Sequence, residues 1–497
     1  MGLDGATKFL AGGVVAAMAS LLGVAHAQAV APVEGLRRID VRSAGQPRCS
    51  LEASLDVLPS GGETSSMLTW TSSGAVRVTL NGGEVDASGS LAVRPLADAA
   101  YTLVAHGAGG ASSATCRQEI RVTQPACVDG AICAVSCGTG LIPDVRTGRL
   151  LALDPGRLVH VLILAEGYTS ADLRRFHVDA PNDVSDWMDA WGRLEVFDTF
   201  REAFCFWKLP AVSNARIVAG GAVEDTAFRV PVDLGGEIDF SDPAATDVVE
   251  ARVWAAVERL PFPPTTFYPT TAERTRGMAK NVVVATMVYE PARARSGFSG
   301  RTALLTNPSN AGRTVAAAFA HHRPHEFAHA FARLRDEYLD LDGDPACVPR
   351  TGAWTSANVS NVVCESGCGD VPWSHLVAGG AQNPAVQGLV GAFGHVEDGY
   401  HPELKCLMNG SRADNATVFG GEADLRTPGR MCNFCRELSA FRLFERIGAL
   451  EDTTTSYATW QRDYRARFYE AYGLDVPGVV PMETPPGRPV FAGCTPP

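Results

Sequence analysis

The sequence predicts a multidomain protein in which an all-β sandwich precedes a larger domain of helices and strands. The chain has 497 residues, of which 46% are hydrophobic, and this is enough to bury two ordinary domain cores. Residues 31–125 contain short alternating runs bounded by turn residues. A histidine motif with helical spacing follows near residue 325, and it indicates a second domain of different character.

Residues 1–27 have the three parts of a secretory signal peptide. A weakly charged start around Lys8 precedes an apolar stretch from Phe9 to Val24, and Ala25-His26-Ala27 then forms the cleavage site. The alternative is a membrane anchor, but the glycine-interrupted stretch is shorter than the roughly 20 residues that a span needs. We therefore expect a secreted or periplasmic protein without a membrane span.

The segment 31–125 predicts a β-sandwich because its strand-like runs recur at regular intervals. Trp70 and the pair Cys49 and Cys116 make it resemble a bacterial immunoglobulin-like domain. Such a domain either contacts a cell surface, a glycan or the substrate, or acts as a spacer. The spacer is favoured because the sequence contains no evident exposed aromatic cluster. The runs are residues 67–71, 75–80, 90–94, 101–105 and 119–122.

Charge and cysteine content restrict the partners and the compartment. The formal net charge of -12 argues against a nucleic-acid partner and supplies no basic patch for anionic membranes. The 13 cysteines predict disulfides in an oxidising compartment, and the odd count leaves at least one thiol unpaired. Cys127, Cys133 and Cys137 predict a cross-linked connector over residues 126–145.

Cys432 and Cys435 form a C-x-x-C pair with two interpretations. Together with Cys364 and Cys368 they would make a structural zinc site. Export favours disulfide bonding instead, with Cys406 as a natural partner for one member of the pair. The connectivity does not follow from the sequence.

The segment His325-Glu326-Phe-Ala-His329 predicts a metal-binding helix. Residues four apart lie on one face of a helix, so the two histidines can direct their nitrogens at one metal while Glu326 reaches its bound water. Pro324 suits the first position of a helix, which places the helix start near Arg323. A catalytic zinc usually has three protein ligands, so a third must follow downstream.

Four blocks of sequence resemble the secreted IgA-peptidase family of zinc metallopeptidases. HEFAHAFARLRDEY, residues 325–338, resembles the family signature HExGHxFxxLxDEY, with Ala328 in place of the first glycine. Residues 159–170 resemble its first core strand, which ends in EGYT. Residues 391–408 resemble its glycine-rich stretch ending in YRPxxxCxM, and MCNFCREL, residues 431–438, resembles FCPVCRE.

The resemblance implies a metzincin-like α+β zinc peptidase domain over residues 146–447, with one Zn²⁺ per chain. It also implies that Asp336 is the third ligand beside His325 and His329. Glu337 is the nearest substitute, and His395 and His401 are remote ones.

A third ligand at Asp336 requires a turn in the chain. On a straight helix Asp336 would lie about 10 Å beyond His329 along the axis, too far to share a metal. The chain must therefore reverse between Phe331 and Arg335. Where the family has a glycine, this chain has Ala332 and Arg333, which take a left-handed conformation at about 1 kcal/mol or more.

Four further side chains are candidates for roles near the metal. By the same resemblance Met408 lies in a methionine turn beneath the zinc, although the sequence alone favours a core methionine. Tyr400 and Tyr338 are candidate donors to the tetrahedral intermediate, and packing is their alternative role. Glu166 ends a predicted strand, and a structural role is favoured for it.

Together these features predict a secreted zinc-dependent endopeptidase that hydrolyses peptide bonds in extracellular proteins or glycoproteins, with Glu326 as the general base. One alternative is a catalytically inactive surface- or glycan-binding protein on a peptidase fold, because the glycine expected after His329 is missing. A zinc amidase that acts on cell-wall peptide is a weaker alternative. Residues 448–497 are expected to form a tail with one helical stretch, Tyr457 to Tyr472, and a proline-rich end.

Overall fold

A computed structural model describes the chain between residues 46 and 472. All described residues belong to one compact unit, Gly45–Pro497. The predicted signal peptide and the proline-rich end lie outside them. The described ranges are 46–110, 113–192, 194–217, 225–231, 242–262, 281–289, 295–297, 302–306, 325–335, 352–356, 358–364, 371–379, 393–394, 400–402, 406, 408, 431–450 and 455–472.

The N-terminal region is rich in strands and forms two sheets. One has three strands in the order β1-β3-β6, and the other has five in the order β2-β8-β7-β4-β5. The strands are β1 (Arg48–Ala53), β2 (Val57–Pro59), β3 (Ser66–Ser73), β4 (Arg77–Leu80), β5 (Gly83–Val85), β6 (Ser88–Val93), β7 (Ala99–His106) and β8 (Ala114–Thr123).

Alternating burial along these strands explains why they form sheets with an apolar side. In β3, Leu68 and Trp70 are buried while Met67, Thr69 and Thr71 are exposed, as the period of two requires. They pack with Leu103 and Ile120 of the five-stranded sheet in one apolar cluster. The predicted pair Cys49 and Cys116 is confirmed as a disulfide, which joins β1 to β8.

A six-stranded mixed sheet forms the centre of the second region, in the order β15-β16-β14-β12-β13-β9. β12 is buried along its whole length and pairs in parallel with both neighbours, which explains its continuous apolar run. A hairpin of β10 (Leu141–Pro143) and β11 (Leu150–Ala152) precedes β12. The six strands are β9 (Cys133–Cys137), β12 (Val159–Glu166), β13 (Phe204–Leu209), β14 (Val282–Val288), β15 (Arg295–Gly297) and β16 (Thr302–Thr306).

Disulfides tie the predicted connector to this sheet. Cys127 bonds Cys133, and Cys137 bonds Cys205 of β13. The middle of the connector is thus an edge strand, because β9 ends the strand order and pairs antiparallel with β13 alone. The expectation of disulfides in this chain is confirmed.

Helices share an apolar core with this sheet and form most of the described C-terminal end. None of the helices within the described ranges is long and apolar enough to cross a membrane. A two-stranded ribbon, β17 (Phe393–Gly394) and β18 (Tyr400–His401), precedes the last three helices. The helices are α1 (Leu173–His177), α2 (Asp183–Trp191), α3 (Glu195–Thr199), α4 (Pro243–Val257), α5 (residues 325–332), α6 (Ser374–Gly379), α7 (Asn433–Arg446), α8 (Ser456–Thr459) and α9 (Arg465–Tyr472), with a π-helical turn, Trp460–Tyr464, between the last two.

The expected division into a strand-rich N-terminal region and a region of helices and strands is therefore confirmed at this level. Helical structure from Ser456 to Tyr472 also agrees with the predicted helical stretch of the tail.

Candidate metal centre

The metal motif lies on α5, as its spacing predicts. His325, Glu326 and His329 are all buried, and one ligand atom from each lies within 4.8 Å of the others. Nε2 of His325 is 3.1 Å from Nε2 of His329, and the two ring planes are perpendicular. Two imidazole nitrogens on one tetrahedral zinc ion are about 3.3 Å apart, so the geometry of this pair fits a shared metal.

A backbone carbonyl determines the tautomer of His329. Nδ1 of His329 is 2.6 Å from the carbonyl oxygen of Leu334, which can only accept a hydrogen bond. Nδ1 therefore carries the proton, and Nε2 presents a lone pair towards His325. This is the usual arrangement of a metal-binding histidine, whose second nitrogen is held by a carbonyl or carboxylate.

The chain reverses directly after α5, as predicted from the position of Asp336. Arg333 adopts φ +56°, so this residue takes the left-handed conformation for which the family uses glycine. Leu334 can thereby turn its carbonyl back to His329.

Asn361 holds the reversed segment in place. Its Oδ1 accepts a hydrogen bond from the amide of Arg335 at 2.7 Å, and its Nδ2 donates to the carbonyl of the same residue at 2.8 Å. Asn361 is completely buried. Its two hydrogen bonds help to offset the strain at Arg333, which costs about 1 kcal/mol. No local sequence signal points to Asn361, because its partner is 26 residues away.

Arg446 at the end of α7 caps the C-terminus of α5. Its Nη2 donates to the carbonyls of Ala330 at 3.2 Å and Phe331 at 2.7 Å, and its Nε donates to Phe331 at 3.0 Å. The guanidinium also lies over the ring of Phe331, 5.0 Å from its centroid. A cation at the C-terminus of a helix donates hydrogen bonds to the last carbonyls and interacts favourably with the negative end of the helix dipole. No local sequence pattern points to Arg446, because its partners are 115 and 116 residues away.

Aromatic packing fixes the other side of α5. Phe327 and Phe331 are four residues apart and stack on each other. Phe327 packs edge-to-face on Trp187 of α2 and on Phe197 of α3, and Phe331 packs on Phe197 and on Phe204 of β13. These contacts hold α5 against α2, α3 and β13, and so fix the position of the helix that carries the two histidines.

Several predicted site residues lie outside the described residues. Asp336, Glu337, Tyr338 and His395 belong to this group. The side chains of Tyr400 and His401 are also outside the description, although their backbone forms β18. Met408 is completely buried, as a methionine beneath a site or in a core would be.

Glu166 has the structural role that was favoured for it. Its buried carboxylate accepts hydrogen bonds from the hydroxyl of Thr226 and from the amides of Phe228 and Val230. Burial raises the pKa of Glu166 above its usual value, although these hydrogen bonds act in the opposite direction. The carboxylate thus pins residues 226–230 to the end of β12.

The C-x-x-C pair does not form the disulfide that export favoured. None of Cys406, Cys432 and Cys435 is in a disulfide, so that expectation is wrong. The alternative zinc set is also wrong, because Cys364 is part of a disulfide. The structure instead brings Cys406 to the start of α7, where the three sulfurs lie within 4.8 Å of one another. Within the described ranges, two groups of residues can thus hold a metal ion, and the sequence predicted the group on α5.

Comparison with protein-family models gave no match, and comparison with curated proteins gave none either. The resemblance to the IgA-peptidase family therefore stays a prediction. The geometry of the site carries the functional argument.

Proposed function

We propose that this chain is a secreted zinc-dependent endopeptidase. The observation that carries the proposal is the convergence of His325, Glu326 and His329 in one buried cluster on α5, with the Nε2 atoms of the two histidines 3.1 Å apart. Two histidines with an adjacent glutamate suit a hydrolytic metal because they supply both ligands and a base.

The donor set favours zinc. Neutral imidazole is a preferred ligand of zinc, and the carbonyl of Leu334 holds His329 in the tautomer that binding needs. We assign the third ligand to Asp336, two residues beyond Leu334, with Glu337 as the alternative. When bound, the zinc would lower the pKa of its water towards about 7 and polarise the scissile carbonyl.

Glu326 is the general base in this proposal. It neighbours His325 on the first turn of α5, and its carboxylate lies within 4.8 Å of the histidine nitrogens. It takes a proton from the attacking water and delivers it to the leaving amine. Arg446 and Asn361 are positioning residues, since they contact the backbone of α5 and of the segment after it.

The finer assignment of the fold follows the same argument. We propose an immunoglobulin-like sandwich for residues 31–125 and a metzincin-like domain for residues 146–447, with Met408 beneath the metal. The disulfide between Cys49 and Cys116 and the packing of Trp70 support the first assignment. The motif helix beside a mixed sheet supports the second.

The proposed substrates are exposed, extended segments of extracellular proteins or glycoproteins. Three described disulfides suit an oxidising compartment and so support export. The β-sandwich would act as a spacer or contact a cell surface or glycan.

The alternative of a catalytically inactive binding protein rests on the missing glycine after His329. Arg333 adopts the left-handed conformation in place of that glycine, and Asn361 accepts a hydrogen bond from the amide of Arg335. The motivation for that alternative is thereby weakened, and we retain the peptidase. A cell-wall amidase has no observation in its favour.

The test is a digest of a mixed pool of denatured proteins and native glycoproteins. Wild type and the Glu326→Ala variant are incubated with the pool, and new N-termini are identified by mass spectrometry. We expect internal cuts made by wild type and not by the variant. Removal of terminal residues only would indicate an exopeptidase. The absence of wild-type cuts in every pool would contradict the proposal.

A further inference from the structure

The three thiols of Cys406, Cys432 and Cys435 form a group outside the motif on α5, and the proposed peptidase does not use them. All three side chains are completely buried, and none is in a disulfide. They come from two segments, one around residue 406 and one at the start of α7. The other described cysteines of this chain are in disulfides. Chance is therefore a poor explanation for three buried thiols that lie together.

Backbone amides point at two of these sulfurs. The amide of Cys435 donates to Sγ of Cys432 at 3.3 Å, and the amide of Cys432 donates to Sγ of Cys406 at 3.2 Å. The amide of Met408 also donates to Cys406. Amides at the N-terminus of a helix stabilise negative charge, so this arrangement favours thiolates. Cys432 itself is the N-cap of α7, a helix of 14 residues.

The sulfur spacing suits a metal ion. Sulfurs on one tetrahedral zinc ion are about 3.8 Å apart, since each bond is about 2.3 Å long. The three sulfurs here lie within 4.8 Å of one another. A disulfide would use two of them and leave the third as a buried thiol, whereas a metal uses all three.

We propose that Cys406, Cys432 and Cys435 bind a second, structural metal ion of thiophilic character, with Zn²⁺ as the natural occupant. Three thiolates fill three tetrahedral positions, and one further ligand completes the fourth. Binding releases the thiol protons, and the buried position excludes a substrate. None of the three cysteines belongs to the motif on α5.

The location gives this metal a defined task. It joins the segment of Cys406 and Met408 to the first turn of α7, whose last residue, Arg446, caps α5. One helix thus connects the thiolate site to the motif helix. We expect loss of the thiolate metal to loosen the support of α5.

The experiment uses the full-length protein with the substitutions His325→Ala and His329→Ala, which remove the other site. The protein is purified without reductant, and its zinc is measured by elemental analysis. We expect about one zinc per chain to remain, because a thiolate site does not need the histidines. Replacement by Co²⁺ should produce thiolate-to-cobalt charge-transfer absorption. Wild type should show the same absorption, which covers the case that the histidine variant misfolds.

Thiol mapping decides between a metal and a disulfide. Native protein should protect the three thiols from alkylation, and a chelator with denaturant should make all three reactive. The double variant Cys432→Ser and Cys435→Ser should lose the cobalt absorption, whereas Cys127→Ser and Cys133→Ser, which remove a disulfide elsewhere, should retain it. The proposal would be overturned by a disulfide among the three cysteines. It would also be overturned if the histidine variant contained no metal and cobalt-substituted wild type showed no thiolate absorption. Neither result tests the zinc on α5. That zinc is measured separately, as the difference in zinc content between wild type and the histidine variant.

Discussion

Asn361 is the side chain that tests whether the chain reversal after α5 supports the metal centre. Asn361→Ala removes the two hydrogen bonds, at 2.7 and 2.8 Å, to the backbone of Arg335. Each is worth about 1 kcal/mol net, and leaving a partly buried backbone group poorly satisfied adds to the loss. We expect the free energy of unfolding to fall by about 2 to 3 kcal/mol. Chemical denaturation followed by intrinsic fluorescence measures it.

The same substitution should weaken zinc binding although Asn361 is not a ligand. Asp336 follows Arg335 directly, so a looser segment misplaces the proposed third ligand. Outer residues that orient metal ligands typically change affinity by about 10- to 100-fold. Competition with a chromophoric chelator measures the affinity. The zinc bound at the motif site is identified as the equivalent that is missing from the double variant His325→Ala and His329→Ala.

Asn358 provides the matched control. Its Oδ1 accepts hydrogen bonds from the amide and the hydroxyl of Thr355, so it has the same chemistry in the same segment without contacting the reversal. Asn358→Ala should lose some stability and keep the wild-type zinc affinity. The reasoning is refuted if Asn361→Ala binds zinc as tightly as wild type, or if both variants weaken zinc binding equally.

Three further predictions concern other parts of the site and core. Arg446→Met should lower the free energy of unfolding by about 3 kcal/mol, because the charged hydrogen bonds to buried carbonyls disappear. Chemical denaturation measures this change, and a loss under about 1 kcal/mol would contradict the capping role. Asp336→Ala should weaken motif zinc binding while Glu337→Ala should not, and the reverse result would move the ligand. Burial lowers the pKa of His160 to about 4, and its Nδ1 accepts from Trp207, so the neutral form is native. Stability should therefore fall as the pH drops from about 6.5 to about 4, by up to roughly 3 kcal/mol, whereas His160→Gln should lack this component of the pH dependence.

Local spacing made the motif helix and the strands predictable. His325 and His329 converge because they are four residues apart on one helix, and Trp70 is buried because alternation places it on the apolar side of its strand. The reversal at Arg333 was also predictable, because a straight helix could not bring a third ligand to the metal.

Contacts between residues that are far apart in the sequence could not be predicted. Arg446 caps a helix whose last carbonyls are 115 residues away, and Asn361 binds a backbone 26 residues away, so neither has a local signature. The thiol state of Cys432 and Cys435 was predicted wrongly. Export suggested a disulfide, but pairing depends on which sulfurs the fold brings together, and the fold brings three.

The central claim is that α5 carries a zinc hydrolytic centre in which Glu326 is the base and not a ligand. The most direct measurement is the zinc content and the turnover of Glu326→Gln beside those of His329→Ala. Glu326→Gln should keep the wild-type zinc content and lose roughly 10²- to 10⁴-fold in kcat, whereas His329→Ala should lose about one zinc equivalent together with activity. Near-wild-type turnover in Glu326→Gln, or undiminished zinc in His329→Ala, would contradict the account.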